Sequence, residues 1–220
     1  MVKLKIFLIS FFILIICFSL AGCSLLDLNI NNNDRNELDS NEKYIKIDIS
    51  ENGSTLNHEM YTILDESIIK LKTVIKEDAK KYVKKAMTGY SLNNSYYFEG
   101  IKEGNTEIWV LDICEEEIWT VKKYVITVDR NLKTKIVNTS EAQTVNRKCA
   151  IIKKDIESSS VFIADNNIVH ALNNGMMPNQ IFIIGIKEGN TIVSVKGKNN
   201  KEIKYNVKVD NNLNVEIKEI

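Results

Sequence analysis

Histidine is almost missing from this chain of 220 residues: only His58 and His170 occur, far apart and without a cysteine or acid at ligand spacing. Zinc sites need several such ligands close together, so no metal centre is expected. The commonest general base is scarce for the same reason, and no Gly-x-Ser-x-Gly elbow marks a serine nucleophile. Proline occurs once, at Pro178, and arginine only at 35, 130 and 147, so the basic residues are nearly all lysine. Neither sign of charge is in excess, with 29 basic residues against 29 acidic ones. Nucleic acid is therefore not an expected partner. A twice-occurring Gly-x-x-x-Gly-x-Thr lacks the lysine of a phosphate loop and leads into a strand pattern, which argues against a nucleotide site. The chain is read as non-enzymatic, with no catalytic residues and no cofactor.

Long apolar runs are confined to the start. Lys3 and Lys5 precede a stretch from Ile6 to Leu20 that holds no charge, proline or glycine. It is shorter than the roughly 20 residues that span a bilayer comfortably, which favours a cleaved signal over a permanent anchor. Leu20-Ala21-Gly22-Cys23 follows. This resembles the lipobox of bacterial lipoproteins. The resemblance implies cleavage between Gly22 and Cys23, diacylglycerol on the Cys23 sulfur, and often a further acyl chain such as palmitate on the new amino group. Two or more chains give the stable membrane anchoring that one cannot. The expected location is the extracytoplasmic face of the cell membrane. The abundance of Asn, Ile and Lys is that of a low-GC coding sequence and suggests a Gram-positive surface.

Taking Lys3 and Lys5 from the 29 basic residues leaves 27 in the mature chain, still close to neutral. Cys17 leaves with the signal and Cys23 carries lipid, so Cys114 and Cys149 remain. They form either a disulfide, as exported proteins allow, or two separately buried thiols. From Ser24 to about Glu42 the sequence is polar, rich in asparagine and without periodicity. It reads as a flexible tether, reaching on the order of 25 Å.

The remainder carries an internal duplication. Gly100-Ile101-Lys102-Glu103-Gly104-Asn105-Thr106 recurs as Gly185-Ile186-Lys187-Glu188-Gly189-Asn190-Thr191, an offset of 85 (185 against 100). Tyr124-x-Ile126-x-Val128-Asp129-x-Asn131-Leu132 parallels Tyr205-x-Val207-x-Val209-Asp210-x-Asn212-Leu213 at an offset of 81 (205 against 124). The first copy is therefore longer between the two matches, and the extra length is expected as a longer hairpin loop around Cys114-Glu115-Glu116-Glu117. In each copy the second glycine suits a turn with positive φ. Apolar residues at spacing two, such as Ile108 and Val110 or Val193 and Val195, then mark strands. Trp109, Leu111 and Ile113 lie on the opposite face of the first copy's strand, so both faces should be covered, by the other repeat or by a helix of the same repeat.

That helix is expected at about 75–88, where Ile75, Ala79, Tyr82, Val83, Ala86 and Met87 share one stripe and lysines occupy much of the rest. Residues 65–74 suit either an extension of it or a strand. The second copy lacks this segment, which is read as an insertion with a solvated lysine face. Asp165-Asn166-Asn167 and Asp210-Asn211-Asn212 read as turns rather than calcium ligands.

Gly-x-x-x-Gly-x-Thr, alternating Val or Ile and a closing Val-x-Val strand resemble two exported β-sandwich families: group 2-like bacterial immunoglobulin-like domains, and the N-terminal domain of pilus-associated secretins. In the latter, a segment like Ile163-Ala164-Asp165-Asn166-Asn167-Ile168-Val169 precedes the glycine motif. The resemblance implies the fold and a role in binding or spacing at the surface. It does not imply secretion, because no pore segment follows Ile220 in this sequence. The expected organisation is a signal peptide (1–22), a tether (23–42), a first β-rich repeat (43–137) with its helix, and a second repeat (138–220). The expected function is a lipid-anchored interaction or structural module of the envelope, with an envelope or exported protein or polymer as partner. A ligand-capturing lipoprotein is the alternative, and an unrecognised enzyme the third reading. A concave pocket lined by Trp109, Trp119, Tyr96 and Tyr97 would favour capture, and closed flat sandwiches would favour spacing or adhesion.

Overall fold

The structure is a computed structural model and describes residues 32–52, 57–77, 91–153, 160–173, 180–196 and 202–220. The segment expected to be a signal peptide, with Gly22 and Cys23, lies outside the described residues. From Glu37 onward the chain forms one compact body.

A short helix, α1 (Asn32–Ser40), is followed by fifteen strands among the described residues. These are β1 (Tyr44–Asn52), β2 (Asn57–Ile63), β3 (Ile69–Ile75), β4 (Ser91–Gly100), β5 (Gly104–Cys114), β6 (Glu117–Val128), β7 (Thr134–Thr139), β8 (Gln143–Lys148), β9 (Ala150–Lys153), β10 (Ser160–Ile163), β11 (Val169–Asn173), β12 (Gln180–Gly185), β13 (Gly189–Lys196), β14 (Glu202–Val209) and β15 (Val215–Glu219). The protein is mainly β, and its strands pair antiparallel.

The strand orders are β1-β4-β3, β2-β5-β6-β7 with β8 also on β6, β11-β12-β9, and β10-β13-β14-β15. Strands β9 to β15 thus repeat the order of β1 to β7. The period-two pattern explains the layers. In β14, Tyr205, Val207 and Val209 are buried while Lys204, Asn206 and Lys208 are exposed. Such one-sided strands belong to outer sheets. Inner sheets carry apolar residues on both faces: Ile108 and Val110 of β5 enter one core with Ile47, Ile69 and Phe98, while Trp109, Leu111 and Ile113 enter a second. That second core also receives Leu172, Phe182 and Ile184 from β11 and β12. Ile181 and Ile183 of β12 turn the other way, into a third core with Val193, Val207 and Val209. Four sheets therefore stack with three apolar layers between them, as face-to-face sandwich packing requires.

The turns repeat as closely as the strands. The Asp65 amide donates to Thr106 Oγ1, and the Asp165 amide donates to Thr191 Oγ1, each at 3.0 Å. Asp129 Oδ1 accepts from the amides of Asn131 and Lys133, and Asp210 Oδ1 from those of Asn212 and Asn214. Gly104 and Gly189 have φ of 155° and 156°, so the positive-φ expectation holds in both copies.

Several expectations change. The first copy's extra length is not a longer loop: β5 and β6 are 11 and 12 residues long against 8 and 8 for β13 and β14. Their turn is tight, with Cys114 paired to Glu117 and Glu115 at φ 53°. The added strand residues Ile113 and Ile118, beside Leu111 and Val121, are buried in the middle apolar layer, which stabilises the longer ladder. Residues 32–40, the end of the segment read as a tether, are helical, and the Tyr97 hydroxyl donates to Asp39 Oδ1 at 2.8 Å. Residues 69–75 are strand, and Ile75, where the helix was expected to begin, ends β3. The remainder of that helix, from 78, lies outside the described residues. The 137/138 boundary falls inside β7, and β8 still pairs with β6, so the strand sets change over near Cys149.

Candidate binding cleft

Strand β2 lies at the end of its sheet, paired only with β5. The Leu64 amide donates to the Glu107 carbonyl across that pairing. Antiparallel alternation then sends the backbone groups of Met60 and Thr62 toward β5, and those of Glu59 and Tyr61 outward. A cleft of about 720 Å³ runs along this side, lined by every residue from Glu59 to Ser67. Tyr96, Ile163, Asn166, Asn167 and the β11 residues His170, Ala171 and Leu172 complete its walls.

Its electrostatics follow from burial. Glu59 has its carboxyl pushed up, first by burial and then by Asp112; the Ser50 amide, donating at 2.7 Å, and Lys122 pull the other way. The Tyr61 hydroxyl is pushed up to about 12 by burial and by the nearby Glu66 carboxylate. Its ring meets those of Tyr96 and Phe98 edge-on, with centroids 5.2 and 5.3 Å away. Asp65 is exposed and held below the usual range by its hydrogen bond from Ser67. His170 is held below 6.5 by burial, partly offset by the Asn166 backbone. Its Nδ1 lies 2.5 Å from Thr62 Oγ1, a hydrogen bond between β11 and β2.

A second cleft of about 830 Å³ lies by the β5–β6 turn and is lined by Cys114, Cys149, Trp119, Lys148, Phe182 and Ile217 among others. Both cysteines are free in the structure, Cys149 buried and Cys114 half-buried. Burial pushes the Cys149 thiol up to about 12.

The four aromatic residues singled out from the sequence do not converge. Trp109 is in the middle apolar layer, Tyr97 is buried beneath Asp39, Tyr96 lines the first cleft, and Trp119 lines the second. His170 is a bonding group between strands, and the side chain of His58 lies outside the described residues. Among the described residues no three His, Cys, Asp or Glu side chains are placed to hold a metal ion. Asp165 and Asp210 use their carboxylates within turns. The β2 edge was not read from the sequence, because edge position depends on the order of strands in the sheet. Among the described residues no helix is long and apolar enough to cross a membrane.

The stacked antiparallel sheets define a mainly β protein of the sandwich class. Comparison of the chain with protein-family models, with curated proteins and with solved structures finds no match.

Proposed function

We propose that this chain is a lipid-anchored bacterial surface protein, held by Cys23, whose two tandem Ig-like units act as a non-catalytic interaction and structural module of the envelope. The units on this reading are β1 to β7 and β9 to β15, the first bearing an insertion, read as helical, after Glu77. One observation carries the reading: an apolar layer of Trp109, Leu111, Ile113, Leu172, Phe182 and Ile184 joins the two strand sets into a single body. A body stiffened in this way carries a surface of fixed form, which suits presentation or spacing. A partner from the envelope or an exported protein fits the near-neutral charge better than nucleic acid does.

The anchoring half is tested with Cys23→Ser. Detergent partitioning and the mass of the mature N-terminus should show loss of lipid and retention or failed processing of the signal, while Cys17→Ser changes neither. Crosslinking on intact cells, followed by capture of the protein, tests the interaction half. The absence of any crosslinked partner, together with a reproducible turnover abolished by one side-chain change, would replace this reading with an enzymatic one. Capture of a ligand is the second reading, and the cleft along β2 is what favours it.

A further inference from the structure

Natural sheets guard their free edges, because unpaired amides and carbonyls recruit other strands; lysines on the edge and very short edge strands are common devices. The edges here can be compared one by one. Lys46 lies on β1, Lys70 and Lys72 on β3, Lys135 on β7, Lys148 on β8, Lys153 on β9 and Lys218 on β15. Strand β10 has no lysine but is only four residues long, and β11 is five. Strand β2 has neither protection: it runs seven residues, Asn57–Ile63, without lysine or proline. Among the described residues, the backbone groups of Glu59 and Tyr61 on its outer side have no hydrogen-bond partner.

The surroundings of this edge select a partner. Its cleft follows the strand direction, since residues 59 to 67 line it without a break. Three carboxylates, Glu59, Asp65 and Glu66, line it, and no lysine or arginine does. The cations that act on Glu59 and Asp65, Lys122 and Lys102, are not among the lining residues. On one side of the strand Tyr61 offers a half-buried ring, and on the other Met60 and Leu172, both buried, reach the cleft wall.

We infer that the free edge of β2 docks an extended, lysine-bearing polypeptide segment, which adds a strand to the β2-β5-β6-β7 sheet. Main-chain hydrogen bonds to Glu59 and Tyr61 hold the added strand, its apolar side chains rest on Tyr61 or on Met60 and Leu172, and its lysines face the carboxylates. This rests on the interaction-module reading and names the class of partner for it.

The test uses the full chain and three synthetic peptides of about ten residues. One alternates lysine with valine or threonine, one has glutamate for each lysine, and one is the lysine peptide N-methylated at alternate backbone nitrogens. Binding is read by calorimetry and by hydrogen exchange at the amides of Glu59 and Tyr61. The lysine peptide should slow exchange at both amides. N-methylation, which removes backbone donors without touching the protein, should weaken it at least about tenfold, or roughly 1.4 kcal/mol. The glutamate peptide should not bind, and Glu66→Gln should weaken the lysine peptide several-fold. Equal affinity of the methylated peptide, or no slowing at Tyr61, overturns the docking site. If a partner is nonetheless crosslinked on cells, the interaction-module reading stands and only this site falls.

Discussion

Thr62 Oγ1 and His170 Nδ1 lie 2.5 Å apart, joining β2 to β11 across 108 residues of sequence. The bond sits at the rim of the middle apolar layer, beside Met60 and Leu172, so it depends on how the two strand sets pack. Both partners are poorly solvated, Thr62 being buried and His170 mostly so.

That setting makes stability pH-dependent. Burial holds His170 below 6.5, so as pH falls through that value the unfolded chain takes up its proton before the folded chain does. The unfolded state then binds more protons, and stability falls. Glu59 acts in the opposite sense at lower pH, because its raised carboxyl is protonated first in the folded chain. Urea unfolding at pH 7.5 and 5.5 should show a loss for the native chain and a smaller loss for His170→Gln. His58 is present in both proteins, so the difference between them isolates His170. Identical losses would remove this role.

Trp109 is buried in the middle layer, its Nε1–H donates to Glu107 Oε2 at 2.6 Å, and Lys123 Nζ stands 4.3 Å from its ring centroid. Trp109→Ala should destabilise the chain by about 3 kcal/mol, in the range for emptying a large aromatic site. A denaturation midpoint unchanged from the native protein would contradict the buried placement.

Residues 149–220, produced alone, would expose Ile151, Leu172, Phe182 and Ile184, which the first strand set covers in the full chain. Light scattering should find this fragment self-associated, and the double change Leu172→Ser, Phe182→Ser should shift it toward monomer. A monodisperse, unmodified fragment would mean the middle layer is not needed to shield those residues.

Cys114 and Cys149 differ in accessibility. With Cys149 only 2% exposed and its thiol pushed up to about 12, a thiol reagent at pH 8 should label Cys114 in the folded chain and Cys149 only after denaturation. No labelling of either before reduction would show that the pair is bridged in solution.

Gly185 leaves no room for a side chain: an added Cβ would lie 2.7 Å from the Leu213 carbonyl oxygen and from Val209 Cγ1. At Gly189 the obstacle is the flexible tip of Ile168, at 2.9 Å, but φ is 156°. Both Gly185→Ala and Gly189→Val should cost more than about 1 kcal/mol, by overpacking and by backbone strain respectively. Thermal unfolding measures both, and an unaltered Gly189→Val curve would mean the turn relaxes without strain.

Much of the local structure was legible because it follows from short-range chemistry. The recurring Gly-x-x-x-Gly-x-Thr located two equivalent turns, and spacing-two apolar residues located β5, β6, β13 and β14. A further correspondence was present but not used: Asp65-Glu66-Ser67-Ile68 against Asp165-Asn166-Asn167-Ile168, an offset of 100 (165 against 65). It marks the turn before β3 and before β11, and would have decided that residues 69–74 are strand. The lysine-rich stretch obscured it by suggesting a helix that ran back into them.

Local chemistry in the sequence dictated which residues alternate in β5, β6, β13 and β14, where the Gly-x-x-x-Gly-x-Thr turns fall and that this strand-and-turn pattern occurs twice, since propensity, turn chemistry and period act over a few residues. Trp109, Leu111 and Ile113 even announced that one strand is covered on both faces. Which surface covers them was left open between a helix and the other repeat, and only the tertiary structure decided for the other repeat. The edge position of β2, the separation of four aromatic side chains, and the Thr62–His170 bond were decided there too. Each depends on strand order and on the stacking of whole sheets, where residues about a hundred positions apart meet and no local pattern records the meeting.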